Sequence, residues 1–176
     1  PYRYDIPQPT TLLWVSEGIT DYYADLALVR GGVIDSTVFL SVTDGKRQSV
    51  DDKVPVALED ASLSTWIHPT EGTSDIYYDK GSLAGLLLDI QIRDASDNRQ
   101  SLDDVMRSLY RSTYKLGKGF TTVQWWAAVS AAAGGRSCAE FSAKYSDGRE
   151  PFPWTTVGPL AGIRYTVDSM RGVRLG

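Results

Sequence analysis

One acid followed at once by a glycine, inside an otherwise apolar run, is the first feature of this sequence that points to chemistry. Residues 11–25 read TLLWVSEGITDYYAD. Leu12, Leu13, Val15, Ile19, Tyr22, Tyr23 and Leu26 leave a helix over this stretch almost no fully polar face. A helix that is apolar nearly all round is normally buried. Glu17 sits in its middle, and an ionised carboxylate in such surroundings needs an ion pair, hydrogen bonds or a metal. Gly18 weakens a helix interior by roughly 0.8–1.0 kcal/mol relative to Ala, so its use predicts that something approaches the backbone there. Asp21, four residues on, falls on the face of Glu17. From the residues alone, a hydrogen bond to a tyrosine or an ion pair with an arginine such as Arg93 accounts for Glu17 at least as well as a metal does.

The rest of the inventory narrows the chemistry. His68 is the one histidine and Cys138 the one cysteine of the 176 residues. Internal disulfides, thiolate metal clusters and two-histidine metal sites built from this chain alone are therefore excluded. A Ser-His or Cys-His pair would have to use His68, which precedes Pro69 in a stretch that reads as a loop. The 18 basic and 22 acidic residues give a net charge of −4. No basic block stands out, which argues against nucleic acid or an anionic membrane as partner, and no apolar run is long enough for a membrane span. The beginning, PYRYDIPQPTT, lacks the features of a signal peptide, and the chain is expected to be a piece of a longer polypeptide.

The elements that must position Glu17 are mainly helices. A threonine at 10 or 11 caps the first, which runs to about Val29 and stops at Gly31-Gly32. Asp35 or Ser36 caps a second, expected to end near Asp44-Gly45 or to continue to about Val50. A short helix is permitted around Leu58, Ala61 and Leu63. A stronger one begins near Asp75 and carries Ile76, Leu83, Leu86, Leu87, Leu88, Ile90 and Ile92. Ser101 caps LDDVMRSLYRSTY, with Asp103 and Asp104 favourable in the first turn. Thr121 or Thr122 opens VQWWAAVSAAAG, which stops at Gly134-Gly135, and Ser137 caps a last short helix, CAEFSAKYS. Beyond Glu150 the prolines and the alternating run 163–167 predict extended chain or a strand. The expectation is a mainly α domain with an extended beginning and end.

Three motifs combine in order: WVSEGITDYY around Glu17, Tyr77-Tyr78-Asp79-Lys80-Gly81 at the start of the leucine-rich helix, and KYSDGREPFP at 144–153. Together they resemble the C-terminal helical part of the catalytic domain of the glycyl aminopeptidase family, gluzincin zinc peptidases of thermolysin-like fold. The resemblance covers about residues 4–153. It implies that residues 1–155 form the helical subdomain and that 156–176 is an extended segment leading toward a PDZ domain. It implies that Glu17 is the third zinc ligand, that Asp21 orients a ligating histidine from behind it, and that Tyr78 donates a hydrogen bond to the oxyanion of the tetrahedral intermediate. Tyr77 is the alternative to Tyr78, and a solvated acid or a partner for Lys80 is the alternative for Asp21. Lys80 itself reads as a salt-bridge or carbonyl-capping residue. Gly81 and Gly85, four apart, are expected to let their helix lie close to the helix of Glu17.

The implied activity is attack of zinc-activated water on the first peptide bond of peptides with a free N-terminus, releasing glycine or another small residue. The H-E-x-x-H motif that would supply two histidine ligands and the general base is absent. The upstream metal-binding helix and β domain, and the downstream PDZ domain, are thus expected partners within one polypeptide, and the chain alone is expected to be inactive. The relatives lean toward exported, periplasmic bacterial proteins. The competing reading is a non-catalytic helical packing or interaction module.

Overall fold

The computed structural model describes residues 5–69 and 75–166, and the organising element is the leucine-rich helix. The first helix is α1 (Ile19–Arg30), entered through a π turn at Trp14–Gly18; then follow α2 (Ser36–Asp51), α3 (Leu58–Ile67) and α4 (Ile76–Ala95). After these come α5 (Leu102–Ser112), α6 (Thr122–Ala132), α7 (Ala139–Phe141) and α8 (Trp154–Val157). No strand occurs among the described residues. Fourteen of the twenty residues of α4 are buried, on every side of the helix, whereas α2 buries none. That contrast makes α4 the axis of the core. The π turn, α1, α2 and α3 pack along it, and α5 and α6 close its far end.

The local signals that start these helices are the ones their sequences carry. Thr10 Oγ1 accepts from the Leu12 amide at 3.1 Å, and Asp35 Oδ1 accepts from Val38 N at 2.9 Å. Ser101 with Asp104, and Thr121 with Gln124, form reciprocal capping boxes that satisfy the first free amides of α5 and α6. α1 ends at Gly31, and Gly32 takes a left-handed φ of +68° that favours glycine.

Some expectations are corrected. Of the two ends expected for α2, the longer one holds and the shorter does not: the helix runs through Gly45 to Asp51, with Arg47 bridging Asp44 and Asp51 across one turn on either side. These i,i+3 and i,i+4 pairs favour the helix where glycine does not. The expected last helix is shorter, Ala139–Phe141, and passes directly into a second π turn at Ser142–Ser146. Beyond Pro153 the chain turns helical twice, at Trp154–Val157 and Gly158–Ala161, before extending over 163–166. Pro159 at the start of the second of these turns is compatible with a helix, because the first amides of a helix are unpaired in any case. Val167, the end of the expected strand, lies outside the described residues.

Candidate metal-ligand site

The close approach announced by Gly18 is a crossing of backbones. A Cβ on Gly18 would fall against the Tyr77 carbonyl oxygen and 2.6 Å from the Gly81 Cα. A Cβ on Gly81 would lie 2.7 Å from the Trp14 carbonyl oxygen and 3.0 Å from the Gly18 Cα. Four residues on, a Cβ at Gly85 would press on Ile19 and Tyr22 side chains at 3.3–3.4 Å. Three glycines thus set the π turn and α1 directly on α4, as expected of Gly81 and Gly85. The backbone of Trp14 is held from the other side by Ser62, whose hydroxyl accepts from the Trp14 amide at 3.1 Å. The Trp14 ring is fully buried and meets Trp125 edge-on at a centroid distance of 5.6 Å.

At this crossing the first two motifs meet. The Tyr78 hydroxyl donates to Glu17 Oε2 at 3.2 Å, joining residues 61 apart in sequence. Glu17 lies inside the π turn, where the hydrogen-bond register gains one residue. Single π turns are frequent at functional sites because they redirect side chains. The acid is half-buried rather than buried: Ser16 and Thr20 beside it are exposed, so this face of the apolar helix opens to solvent. Of the two tyrosines, Tyr77 is buried and Tyr78 is 40% exposed, with their rings 4.8 Å apart. Desolvation, helped by the charge of Glu17, lifts the Tyr78 phenol above its usual range. The arrangement is a carboxylate and a neutral phenol donor side by side at an accessible surface.

Asp21 takes part in an ion cluster. With Asp25 it holds the Lys46 ammonium, at 2.5 and 2.6 Å, and Ser82 takes part at 3.0 Å. Burial pulls the Lys46 pKa down, and the hydrogen bonds and charges of the two aspartates outweigh it, so the ammonium is held above its usual range. This cluster ties α1, α2 and α4 together. Lys80 does not pair with Asp21: it caps the Val56 carbonyl at 2.5 Å, the capping role expected of it. Arg93 pairs with Asp89 at 3.1 Å, not with Glu17. No sequence signal singled out Lys46; its position one helix away from two aspartates becomes visible only once α2 is packed.

The third motif is anchored to α3 and α4. Ser146 donates to Glu59 Oε1 at 3.1 Å and Arg149 to Asp60 Oδ2 at 3.0 Å. Gly148 is required where the chain leaves the second π turn, since a Cβ there would lie 2.5 Å from the Lys144 carbonyl oxygen. Phe152 then stacks beside Lys80, with Nζ 5.8 Å from the ring centroid.

A catalytic zinc takes three protein ligands and leaves a fourth position open. Among the described residues no group of three His, Cys, Asp or Glu side chains could hold a metal. His68 is exposed at the end of α3. Glu17 offers one carboxylate at this accessible surface, and the described residues do not complete a zinc site by themselves.

Residues 1–84, which hold both Glu17 and Tyr78, match the model of the M61 glycyl aminopeptidase family. The fold matches the crystal structure of an aminopeptidase N family protein from Idiomarina loihiensis, with a TM-score of 0.77 at 23% identity. The match covers 90% of this chain and 28% of that one, so the chain spans under a third of the length of the protein it resembles. No curated protein matches the chain.

Proposed function

We propose that this chain is the helical part of the catalytic domain of a zinc aminopeptidase that releases N-terminal glycine or another small residue from peptides. The observation that carries the reading is the Tyr78–Glu17 hydrogen bond at the glycine crossing, within the segment that matches the M61 family. Glu17 would be one ligand of a zinc whose remaining ligands the described residues do not supply. The metal, when bound, supplies Lewis acidity and an activated water. Tyr78 donates to that ligand in this structure, and would give its hydrogen bond instead to an oxyanion developing on the substrate carbonyl. Asp21, through Lys46, would hold the helix of Glu17 in register against α2 and α4. Alone, the 176-residue chain would hydrolyse nothing.

The test uses a longer polypeptide of the same protein that restores the other ligands. Glu17→Gln should lose bound zinc, measured by metal analysis, together with turnover of a glycine-terminated chromogenic peptide. Zinc content and turnover both unchanged would rule out the ligand role. A longer polypeptide with no zinc and no hydrolysis before any mutation would favour a non-catalytic helical module.

A further inference from the structure

A second polar group is left incomplete on the opposite side of α4. Lys80 follows Tyr78 by two residues, about 200° around a helix, and its side chain is 4% exposed. Its ammonium has three donors; one meets the Val56 carbonyl, and among the described residues no carboxylate lies within ion-pair distance of it. Burial pushes its pKa down to about 8, with Arg149 adding to the effect. A buried charge of this kind is unfavourable without a counter-charge.

The ammonium borders a cavity of about 450 Å³, within the range of small-molecule sites. Phe152 and Trp154 wall it, and Val54, 74% exposed, stands at its edge. The lining also carries the cations Arg47 and Lys53 and the acids Asp51 and Glu150, and Asp51 is held by Arg47 at 2.5 Å. Arg149, on the same lining, is bonded to the exposed Asp60 and is near enough to influence Lys80. An anion entering the cavity meets four cations against two acids, with Lys80 the one of the four that has no carboxylate partner among the described residues, and its body meets the rings of Phe152, Trp154 and Tyr165.

We propose that the cavity between α4 and the segment around Phe152 and Trp154 binds a carboxylate carried on a small apolar or aromatic body, with Lys80 as its counter-ion. Charge selects the carboxylate head, and the rings select the body. The proposal does not depend on zinc or on peptidase activity, so it stands or falls separately from the reading above.

The probe is phenylacetate, titrated into the 176-residue chain while the Trp154 indole N–H is followed by ¹H–¹⁵N NMR. The expected result is a saturable shift of that signal, weakened at least tenfold with neutral phenylacetamide or inorganic sulfate, and at least tenfold in Lys80→Met. Arg149→Gln, which leaves the Val56 cap in place, should weaken binding severalfold and serves if Lys80→Met does not fold. Equal binding of phenylacetamide, equal binding of sulfate, or no saturable shift with phenylacetate at millimolar concentration would overturn the proposal.

Discussion

The two halves of α4 treat their polar groups in opposite ways. Near its C-terminal end, Asp89 is buried and fully used. Its carboxylate accepts from the Tyr22 hydroxyl at 2.9 Å, from the Leu102 amide at 2.7 Å and from Arg93 Nε at 3.1 Å. Desolvation, together with Asp89, drives the Tyr22 phenol far above its usual range, so that it stays a donor. This end joins α1, α4 and α5 in a closed network. At the N-terminal end, Tyr78 and Glu17 meet at the surface, and Lys80 keeps donors in hand. Polar groups that are buried and satisfied hold a fold together. Groups placed with equal care but left open are the ones available to a ligand.

The contrast can be broken from either side. The largest effect is expected at the open end: Tyr78→Phe, in a longer polypeptide with all ligands present, should lower kcat by about 100- to 1,000-fold, or about 3–4 kcal/mol of transition-state stabilisation. Zinc content and urea-unfolding midpoint should stay unchanged, and undiminished turnover would remove Tyr78 from the reaction. Gly81→Ala comes next. Its Cβ would meet backbone atoms of Trp14 and Gly18, which cannot swing aside as a side chain can, and a loss of about 3 kcal/mol of stability is expected. A loss under about 0.5 kcal/mol would show that the crossing relaxes without cost. Asp89→Asn, at the closed end, removes the charge and one acceptor position and should cost about 2 kcal/mol by urea unfolding. Its kcat should be unchanged in the folded longer polypeptide, and a kcat loss as large as that of Tyr78→Phe would erase the distinction between the two ends.

Much of this was legible in the residues. Glycines at 18, 81 and 85 announce a close helix crossing because nothing else tolerates one, and the two motifs that meet there are recognisable in sequence. Caps at Asp35, Ser101 and Thr121 are equally local, each a side chain satisfying an amide two or three residues on. What escaped depends on partners distant in sequence or on register. Glycine at 45 left two ends open for α2, and the ion pairs of Arg47, which carry it past that glycine to the later one, could not be weighed from the sequence. The preference of Asp21 for Lys46 needs the packing of α2 on α1 and α4, which no periodicity specifies. The openness around Glu17 escaped because apolar residues nearly encircle the helix on paper, while the fold covers only part of that circle. The π turns carry no residue signature at all, since they differ from α-helix only in which carbonyl each amide finds.

The first π turn has a consequence for the shape of the core. It acts as a phase shift in an otherwise continuous rod. At its first residue, the Trp14 ring is aimed at Trp125 and Trp126. After it, Ile19 and Tyr22 are aimed at Gly85 and Asp89 of α4. One rod with a single inserted residue thereby serves two differently oriented neighbours, and Glu17 rides on the splice between them.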